Sequence, residues 1–438
     1  MARKMKDSGI EWIGEIPTDF SLYKLKYLLS SPLCYGANES GTLYSDILPR
    51  YIRITDISPN GTLKNSGMLS LDESSAQNYM LHEGDILFAR SGATVGKSFI
   101  YHNYYGRAAY AGYLIKASFN RLVLPEFVYY YTCSSAYEIW KNSIFIQSTI
   151  QNIGADRYSN LPISVPNSID KQLSIVRYLN NFCSKFDAII YNLQTSIEDY
   201  KKLKQAIITQ AVTKGVRGER EMKDSGVEWI GEIPKEWDII KSSRIIKTTQ
   251  NGLSRRDLEK SEGQIILKLK NITSDGKIDY SFLNRITLSQ NELNTYALTT
   301  GDFLFVRVNG SKSLVGKCAI FEAISEIVAY NDHIIRVKLS NQCYNRFFLW
   351  YLYSCCGKAE IDLHTSTAAG QYTISGDGLR DITLVFPPID EQKEIADYLD
   401  AKCAEIDKLI AKKEQLVKEL ESYKKSLIYE VVTGKREV

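Results

Sequence analysis

Two patterns of apolar and polar positions alternate along the chain. In residues 1–165, short apolar runs are separated by turn-forming residues. The runs Ile52 to Ile57 and Ile86 to Ala89 predict strands, and Pro59-Asn60-Gly61 predicts a turn. The tyrosine-rich stretch from Pro125 to Trp140 predicts helical structure. Because short strands mixed with helical stretches are typical of an α+β domain, we predict a compact domain of that class with a twisted sheet.

The second pattern is a long apolar stripe with steps of three and four residues. It runs through residues 166–221 and returns in residues 389–438. Steps of this kind, sustained over several heptads without interior Gly or Pro, predict a coiled coil, whereas the plainer interpretation is a helix packed on its own domain. The residues expected to pair the two helices are Leu179, Phe186, Leu193, Tyr200, Leu399, Ile406, Leu409 and Leu420.

The chain is an internal duplication. MKDSGIEWIGEIP at residues 5–17 recurs as MKDSGVEWIGEIP at residues 222–234. Two equivalent helices in a duplicated chain are expected to pack antiparallel about a pseudo-twofold axis. Both helices end in the same Val-Thr stop, so the repeat is circular. The predicted α+β domains are residues 1–165 and 222–388. Residues 166–221 are predicted to form a central helix with its linker, and residues 389–438 are predicted to form a C-terminal helix.

Composition and charge change this picture little. A net charge of +3 at pH 7 with 44% hydrophobic residues describes a globular protein and does not by itself indicate a nucleic-acid partner. We find no apolar run long enough for a spanning helix and no signal peptide, so we expect a cytoplasmic protein with no membrane contact. The 8 cysteines form no C-x-x-C pair, and the 4 histidines have no metal-ligand spacing.

The segment Gly92 to Ser98 resembles a phosphate-binding loop but departs from it in two ways. Only three residues separate its glycines, where that motif needs four. An apolar run, Phe99 to Tyr101, follows it, whereas phosphate binding uses the N-terminus of a helix. We therefore predict a β-hairpin here.

The same hairpin carries polar residues suited to DNA. Arginine can contact guanine with two hydrogen bonds, asparagine can contact adenine, and lysine can meet phosphate. Either copy alone could be a solvated hairpin, but arginine and lysine recur at matched points. The candidate DNA-binding residues are Arg90, Ser91, Thr94 and Lys97 with Thr149, Gln151 and Asn152 in the first half, and Arg307, Asn309, Lys312 and Lys317 with Gln371 and Tyr372 in the second.

Catalytic signatures are missing from the sequence. Phe386, and not Asn or Asp, precedes the double proline Pro387-Pro388, and Ile389 follows it, so it is not a methyltransferase motif. Neither a Gly-rich adenosylmethionine loop nor a matched Ser-His-Asp arrangement can be picked out. Cys183 and Cys403 fall beside the helix stripes, so burial is expected in preference to redox chemistry.

The combined motifs resemble one known family. Their order is EWIGEIP followed by an aromatic residue (Phe20 or Trp237), then GD-I/F-LF-x-R, then VGK, then a Pro-flanked entry into a D-x-Q helix. This series of motifs is similar to that of the DNA-specificity subunits of type I restriction–modification systems. The resemblance covers essentially the whole chain. It implies two target-recognition domains separated by a pair of long antiparallel coiled-coil helices, which act as spacers.

What the resemblance implies about function is a non-catalytic subunit that reads a bipartite, asymmetric site in double-stranded DNA. Its partners are two adenine methyltransferase subunits, together with restriction/translocase subunits where the system cuts DNA. It implies no cofactor here, because S-adenosylmethionine is bound by the methyltransferase partner. Two alternatives stay open: a nucleotide-binding enzyme that uses the Gly92 loop, and a coiled-coil scaffold without a DNA role.

Overall fold

The structure is a computed structural model that describes residues 3–58, 61–146, 152–255, 262–273, 275–368 and 370–438. It divides into two compact units. The first comprises Met1–Gln194 with Glu414–Val438, and the second comprises Thr195–Lys413. Each unit therefore holds one α+β domain and a part of each long helix, and each is described by itself below.

The elements of the first half are short except for its last helix. Its strands are Met5–Asp7 (β1), Glu15–Pro17 (β2), Phe20–Lys24 (β3), Cys34–Tyr35 (β4), Thr42–Leu43 (β5), Arg50–Ile52 (β6), Leu69–Ser70 (β7), Ile86–Ala89 (β8), Ser98–Ile100 (β9), Ala108–Tyr110 (β10), Leu114–Ala117 (β11) and Pro162–Pro166 (β12). Its helices are Glu73–Ala76 (α1), Pro125–Thr132 (α2), Ser135–Ile146 (α3), Ala155–Ser159 (α4) and Ile169–Lys214 (α5).

The second half repeats this plan. Its strands are Met222–Asp224 (β13), Glu232–Pro234 (β14), Asp238–Lys241 (β15), Ile246–Asn251 (β16), Gln264–Leu267 (β17), Asn284–Ile286 (β18), Phe303–Val306 (β19), Val308–Asn309 (β20), Cys318–Ile320 (β21), Val328–Tyr330 (β22), Ile334–Leu339 (β23), Ser366–Ala368 (β24), Gln371–Thr373 (β25) and Thr383–Phe386 (β26). Its helices are Gln290–Tyr296 (α6), Asn345–Tyr353 (α7), Cys355–Leu363 (α8), Gly376–Arg380 (α9) and Ile389–Val432 (α10).

Equivalent sheets recur in the two units. The central sheet of the first unit has the order β4-β11-β8-β9, and that of the second has the order β16-β23-β19-β21. A neighbouring sheet contains one parallel pair in each unit, β6 with β10 and β17 with β22. The predicted α+β class is confirmed, although each domain contains several small sheets where we expected a single twisted one.

The predicted strand Ile52 to Ile57 is wrong beyond its first residue, and a local hydrogen bond explains why. Strand β6 ends at Ile52, and a short 3-10 helix covers Ile54–Asp56. The Asp56 carboxylate accepts a hydrogen bond from the Arg53 backbone N–H at 2.8 Å. In the second unit the Asn271 side chain caps Leu269–Asn271 in the same way. Such side-chain contacts compete with strand pairing.

The helical stretches that follow the sheets are each divided in two. Helix α7 ends at Tyr353 and α8 begins at Cys355. Between them, Ser354 caps α8, because its hydroxyl accepts a hydrogen bond from the Gly357 N–H at 3.1 Å. Ser134 occupies the same place between α2 and α3.

The long helices α5 and α10 pair within each unit. In the first unit Lys424 Nζ donates to Asp187 Oδ1 at 2.6 Å, and in the second Lys204 Nζ donates to Asp407 Oδ1 at 2.6 Å. The repeat matches Asp187 with Asp407 and Lys204 with Lys424, so each contact is the counterpart of the other. The order of the contacts reverses between the two helices, which confirms the predicted antiparallel pair.

The buried stripe differs from the predicted one at several turns. Leu179, Leu399 and Ile406 are buried, whereas Leu409 is 43% exposed and Ile410 beside it is buried. The three-or-four spacing also predicts Ile189 at the contact, between Phe186 and Leu193, but Ile189 is 47% exposed and Ile190 beside it is buried. Two adjacent apolar residues satisfy a three-or-four spacing equally well, so the pattern alone cannot choose between them.

Two further helix-pairing candidates, Phe186 and Tyr200, contact a residue of the other helix. In the first unit Phe186 packs edge-on against Tyr423, with ring centres 5.6 Å apart. In the second unit the ammonium of Lys413 lies 5.6 Å from the centre of the Tyr200 ring. Leu193 and Leu420 are half-buried.

The start of each half packs against the end of a long helix, which agrees with a circular repeat. In the first unit the Tyr429 hydroxyl, on α10, donates to the Ile13 carbonyl at 3.1 Å. In the second unit Ile208 and Val212, on α5, share one core with Ile233. Each α+β domain is thus completed by the helix that the other half of the chain supplies.

Candidate nucleic-acid interface

The Gly92 segment of the first unit is a β-hairpin, as predicted. Strands β8 and β9 pair antiparallel, and the connection contains a short 3-10 helix, Gly92–Thr94. Gly92 and Gly96 have φ values of +78° and +83°, which side chains rarely adopt, so the turn requires glycine at both places. Since a strand follows the loop, the loop presents no α-helix N-terminus to a phosphate.

Arg90 leaves the end of β8 in a fixed position. Its backbone N–H donates to the Tyr113 carbonyl at 3.0 Å, and its carbonyl accepts from the Ile153 N–H at 2.9 Å. Its guanidinium carbon lies 5.0 Å from the centre of the Tyr35 ring. A guanidinium stacked on an aromatic ring keeps N–H donors at its edge, which suits contact with a base or a phosphate.

The other candidates of the first unit differ in how accessible they are. Ser91 and Asn152 form an antiparallel bridge, so these two predicted segments do meet. Asn152 Oδ1 is buried and has no hydrogen-bond partner within the described ranges. Thr94 is half-buried and Lys97 is exposed. Thr149 and Gln151 lie outside the described residues.

The second unit brings its predicted segments together more closely. Strand β20 pairs antiparallel with β25, which places Asn309 opposite Tyr372. The Arg307 backbone N–H donates to the His333 carbonyl at 2.8 Å, and its carbonyl accepts from the Ile374 N–H at 3.0 Å. Arg307, Asn309 and Tyr372 therefore lie in one small surface.

The side chains of this second surface are partly committed to neighbours. Arg307 Nη1 donates to the Asp332 carbonyl at 3.3 Å. Asn309 Oδ1 accepts from the Ser311 N–H at 3.0 Å. Lys312 Nζ lies 3.6 Å from the Asp362 carboxylate, which offsets part of its charge. Lys317 is half-buried and Gln371 is exposed.

The two surfaces share a backbone frame and differ in their side chains. In both, the arginine that follows the central strand is fixed through its N–H and through its carbonyl, and the partner segments are equivalent. Arg90 rests on a tyrosine ring, whereas Arg307 donates to a carbonyl. The sequence did not predict Tyr35, because it lies in the segment 35–50, whose sequence has no clear counterpart in residues 249–262. Only the fold brings it under Arg90.

Among the described residues, no group of His, Cys, Asp and Glu is placed to hold a metal ion. In the same part of the chain, no helix is both long enough and apolar enough to cross a membrane. Burial raises the pKa of the Cys183 and Cys403 thiols to about 11, so both are neutral at ordinary pH.

Comparison with protein families gives one assignment over most of the chain. Residues 44–199 and 234–419 match the family described as the type I restriction modification DNA specificity domain. The two matched stretches fall one in each half, as the duplication requires. Together they cover well over half of the chain.

Curated relatives carry the same description. The chain is 25% identical over 320 residues to the type I restriction enzyme StySPI specificity subunit of Salmonella potsdam, across 72% of this chain and 66% of that protein. It is 24% identical over 435 residues to a putative type I restriction enzyme MjaX specificity subunit of Methanocaldococcus jannaschii, across 97% of this chain and 95% of that protein. A third relative is the EcoKI specificity subunit of Escherichia coli, 25% identical across 63% of this chain.

The matches to StySPI and EcoKI span less than two thirds of those proteins, 66% and 58% of their lengths. A solved chain from work on complex assembly and conformational transition of the type I R-M system superposes with a TM-score of 0.71 at 14% identity. That superposition covers 96% of this chain and 99% of the other, so the two share a fold.

Proposed function

Because the chain belongs to the type I restriction–modification DNA specificity family, we propose that it is the subunit that reads a bipartite, asymmetric site in double-stranded DNA. It positions two adenine methyltransferase subunits and is not itself catalytic. S-adenosylmethionine is bound by those partners. The observation that carries the proposal is the pair of equivalent arginine-bearing surfaces, one in each unit.

The differences between the two surfaces support an asymmetric target. A shared backbone frame gives each domain the same way of approaching a duplex. The side chains that could meet base edges differ, Ser91 and Asn152 in one unit and Asn309 and Tyr372 in the other. Since base contacts specify sequence while backbone contacts only position the protein, different side chains on one frame read different half-sites.

Each unit also exposes apolar residues on the long helices, where a partner can dock. In the first unit Ile189 and Tyr423 are 47% and 55% exposed, and in the second Leu203 and Leu409 are 48% and 43% exposed. The repeat matches Ile189 with Leu409 and Leu203 with Tyr423. Because each unit carries an equivalent patch, two copies of one partner fit better than one copy or two unlike partners.

Reconstitution with the methyltransferase partner tests the proposal. The complex is expected to protect one bipartite site in a DNA footprint and to methylate adenine there. The chain alone is expected to show no methylation, ATPase or nuclease activity. Methylation by the chain alone, or a complex that assembles but protects no specific site, contradicts the proposal. Binding of a nucleotide by the purified chain favours the enzyme alternative instead.

Two helix variants test the docking patches. Ile189→Asp with Leu409→Asp places a charge in both patches and is expected to abolish partner binding while leaving the fold intact, because both positions are exposed. Gln194→Asp is the control. It lies five residues from Ile189 and therefore about 140° around the helix, on the other side of the buried stripe. Equal binding by both variants, measured by co-purification, contradicts docking at these patches.

A further inference from the structure

A tight turn lies beside the candidate arginine in each unit. In the first unit residues 111–114 join β10 to β11, and in the second residues 331–334 join β22 to β23. In both, the N–H of the fourth residue donates to the carbonyl of the first, at 2.9 and 3.0 Å. The third residue of the turn differs between the units, since it is Tyr113 in one and His333 in the other.

This third residue lies opposite the arginine. Strand β11 pairs antiparallel with β8, and the register of that pair sets Tyr113 against Arg90. Strands β23 and β19 set His333 against Arg307 in the same way. The arginine N–H donates to the carbonyl of the turn residue in both units, at 3.0 and 2.8 Å. Because opposite residues have Cβ atoms about 5 Å apart, DNA that contacts the arginine lies within reach of the turn residue.

The turn is fixed by backbone contacts. The residue after β4 is Gly36, where a Cβ would lie 2.3 Å from the Tyr110 carbonyl oxygen. The residue after β16 is Gly252, where a Cβ would lie 2.2 Å from the Asn331 carbonyl oxygen. A neighbouring segment therefore holds the turn closely in each unit. Since these contacts involve backbone atoms, the fold leaves the side chain of the third residue unspecified.

The side chains at this place keep their polar atoms accessible. Tyr113 is 63% exposed, and within the described ranges its hydroxyl forms no hydrogen bond. His333 is exposed too, and its Nε2 lies 3.8 Å from Asp332 Oδ1, which is too far for a hydrogen bond. A short side chain on a fixed turn loses little conformational freedom when it binds a ligand.

The arginine is the constant residue of this surface, and the residues around it vary. On the far side of β11, Tyr35 pairs with Ile115, and Asn251 takes the same place against Ile335 in the second unit. The turn residue and this strand residue thus both change between the units while the arginine does not. Only base contacts need to differ between unlike half-sites, so variation on a shared frame favours contact with bases over contact with phosphates.

We propose that the turn residue, Tyr113 in the first domain and His333 in the second, contacts a base next to the one met by the arginine and helps to determine the sequence that each domain reads. The inference rests on the proposed function. Tyr113 supplies a hydroxyl that donates or accepts and an apolar ring for a thymine methyl group. His333 in its neutral form supplies one donor and one acceptor nitrogen. Their different chemistry suits different bases.

An exchange of the two residue types tests the proposal. The full chain is assembled with its methyltransferase partner, and affinities are compared by competition between DNA targets in which each base pair of the site is varied in turn. Tyr113→His is expected to change base preference by about fivefold or more at one position, or two adjacent ones, of the first half-site. His333→Tyr should do the same in the second half-site. Each variant should leave the other half-site unchanged.

Two further variants complete the design. Tyr113→Ala removes the ring and the hydroxyl, and it should lose discrimination at the position that Tyr113→His changes, which keeps the proposal testable if the histidine disturbs the turn. Tyr104→Ala is the control. Tyr104 is also exposed, but it follows β9, whose last residue pairs at the end of β8 that is opposite to Arg90. It is expected to leave the base preference unchanged.

The pattern of affinities decides between the explanations. A change at a position beside the one that Arg90→Ala or Arg307→Ala relaxes supports the proposal. A change only at the position of the arginine shows that the turn acts through the arginine, and overturns it. An equal loss of affinity for every sequence, or an unchanged preference in all three turn variants, also overturns it. A wild-type complex without any sequence preference contradicts the proposed function instead.

Discussion

At the scale of single residues, Arg90 and Arg307 show how much of an interface local sequence can indicate. Both follow a GD-x-LF strand, so the sequence predicts that they occupy equivalent places, and the backbone contacts of both units agree. What each guanidinium touches depends on distant segments. Tyr35 reaches Arg90 from β4, and Asp332 reaches Arg307 from the loop after β22. Their roles in reading bases stay predictions.

Replacement of these arginines is expected to relax specificity. If each reads a base, Arg90→Ala and Arg307→Ala should each cost about 1–3 kcal/mol of binding and relax one position of one half-site. Each variant also serves as a control for the other, because it should leave the half-site of the other domain unchanged. Arg121→Ala is a further control. Arg121 follows β11, whose last residue Ala117 pairs with Ile86, at the end of β8 that is opposite to Arg90.

Methylated-motif mapping of these variants is the measurement. If both arginine variants keep the original motif and affinity, the hairpins are structural and do not read DNA.

Thiol reactivity is expected to follow burial. The pKa values of Cys183 and Cys403 are raised to about 11 by burial, so both thiols are protonated at pH 8 and only the thiolate is nucleophilic. Cys34 and Cys355 are exposed. Alkylation at pH 8 followed by mass spectrometry should modify Cys34 and Cys355 first. Early modification of Cys183 contradicts the buried helix contact.

At the scale of elements, the sequence predicts what depends on periodicity and misses what depends on side-chain hydrogen bonds. The long helices follow from their spacing, and β8 follows from its apolar run. The 3-10 helix after β6 does not, because it forms through contacts of Asp56 with Arg53. The choice of Ile190 over Ile189 for the helix contact also depends on the partner helix, which no local pattern describes.

That choice gives a paired stability prediction. Ile190 is 9% exposed, so Ile190→Ala leaves a cavity at the helix contact and should cost about 2–5 kcal/mol. Ile189→Ala removes an exposed side chain and should change stability by less than about 0.5 kcal/mol. Denaturant unfolding followed by circular dichroism measures both. Equal losses of stability in the two variants would show that Ile189 also lies at the helix contact.

At the scale of the whole molecule, the circular repeat means that neither half completes its own domain. The core of the first unit includes Leu427, Ile428, Val431 and Val432 from α10. The repeat matches these residues with Ile207, Ile208, Ala211 and Val212 at the end of α5. A second copy of the first half therefore carries the apolar residues that the missing α10 would supply.

The half-chain of residues 1–221 is accordingly expected to form a symmetric dimer. Asp187 of each copy meets Lys204 of the other, reproducing the Asp187–Lys424 and Lys204–Asp407 contacts of the full chain. With the methyltransferase partner, this dimer should read a palindrome built from the first half-site. Sedimentation at micromolar concentration and mapping of the methylated motif measure the two expectations.

Charge reversal supplies the control for the helix pairing. Asp187→Lys in the half-chain places like charges together twice and should weaken the dimer, whereas Asp187→Lys with Lys204→Asp restores opposite charges and should recover it. A half-chain that stays monomeric contradicts the paired-helix account. If the double variant does not recover the dimer, the ion pairs do not set the register of the two helices.

The central claim is that this chain determines which DNA sequence a methyltransferase complex recognises. Each of its two domains recognises one half-site. Mapping methylated adenines in a genome where the chain is expressed with its methyltransferase partner tests it most directly. The account predicts chain-dependent methylation at two short, unlike segments separated by a gap of unspecified bases, with one segment altered by Arg90→Ala and the other by Arg307→Ala. A single continuous motif, or methylation that does not depend on the chain, contradicts it.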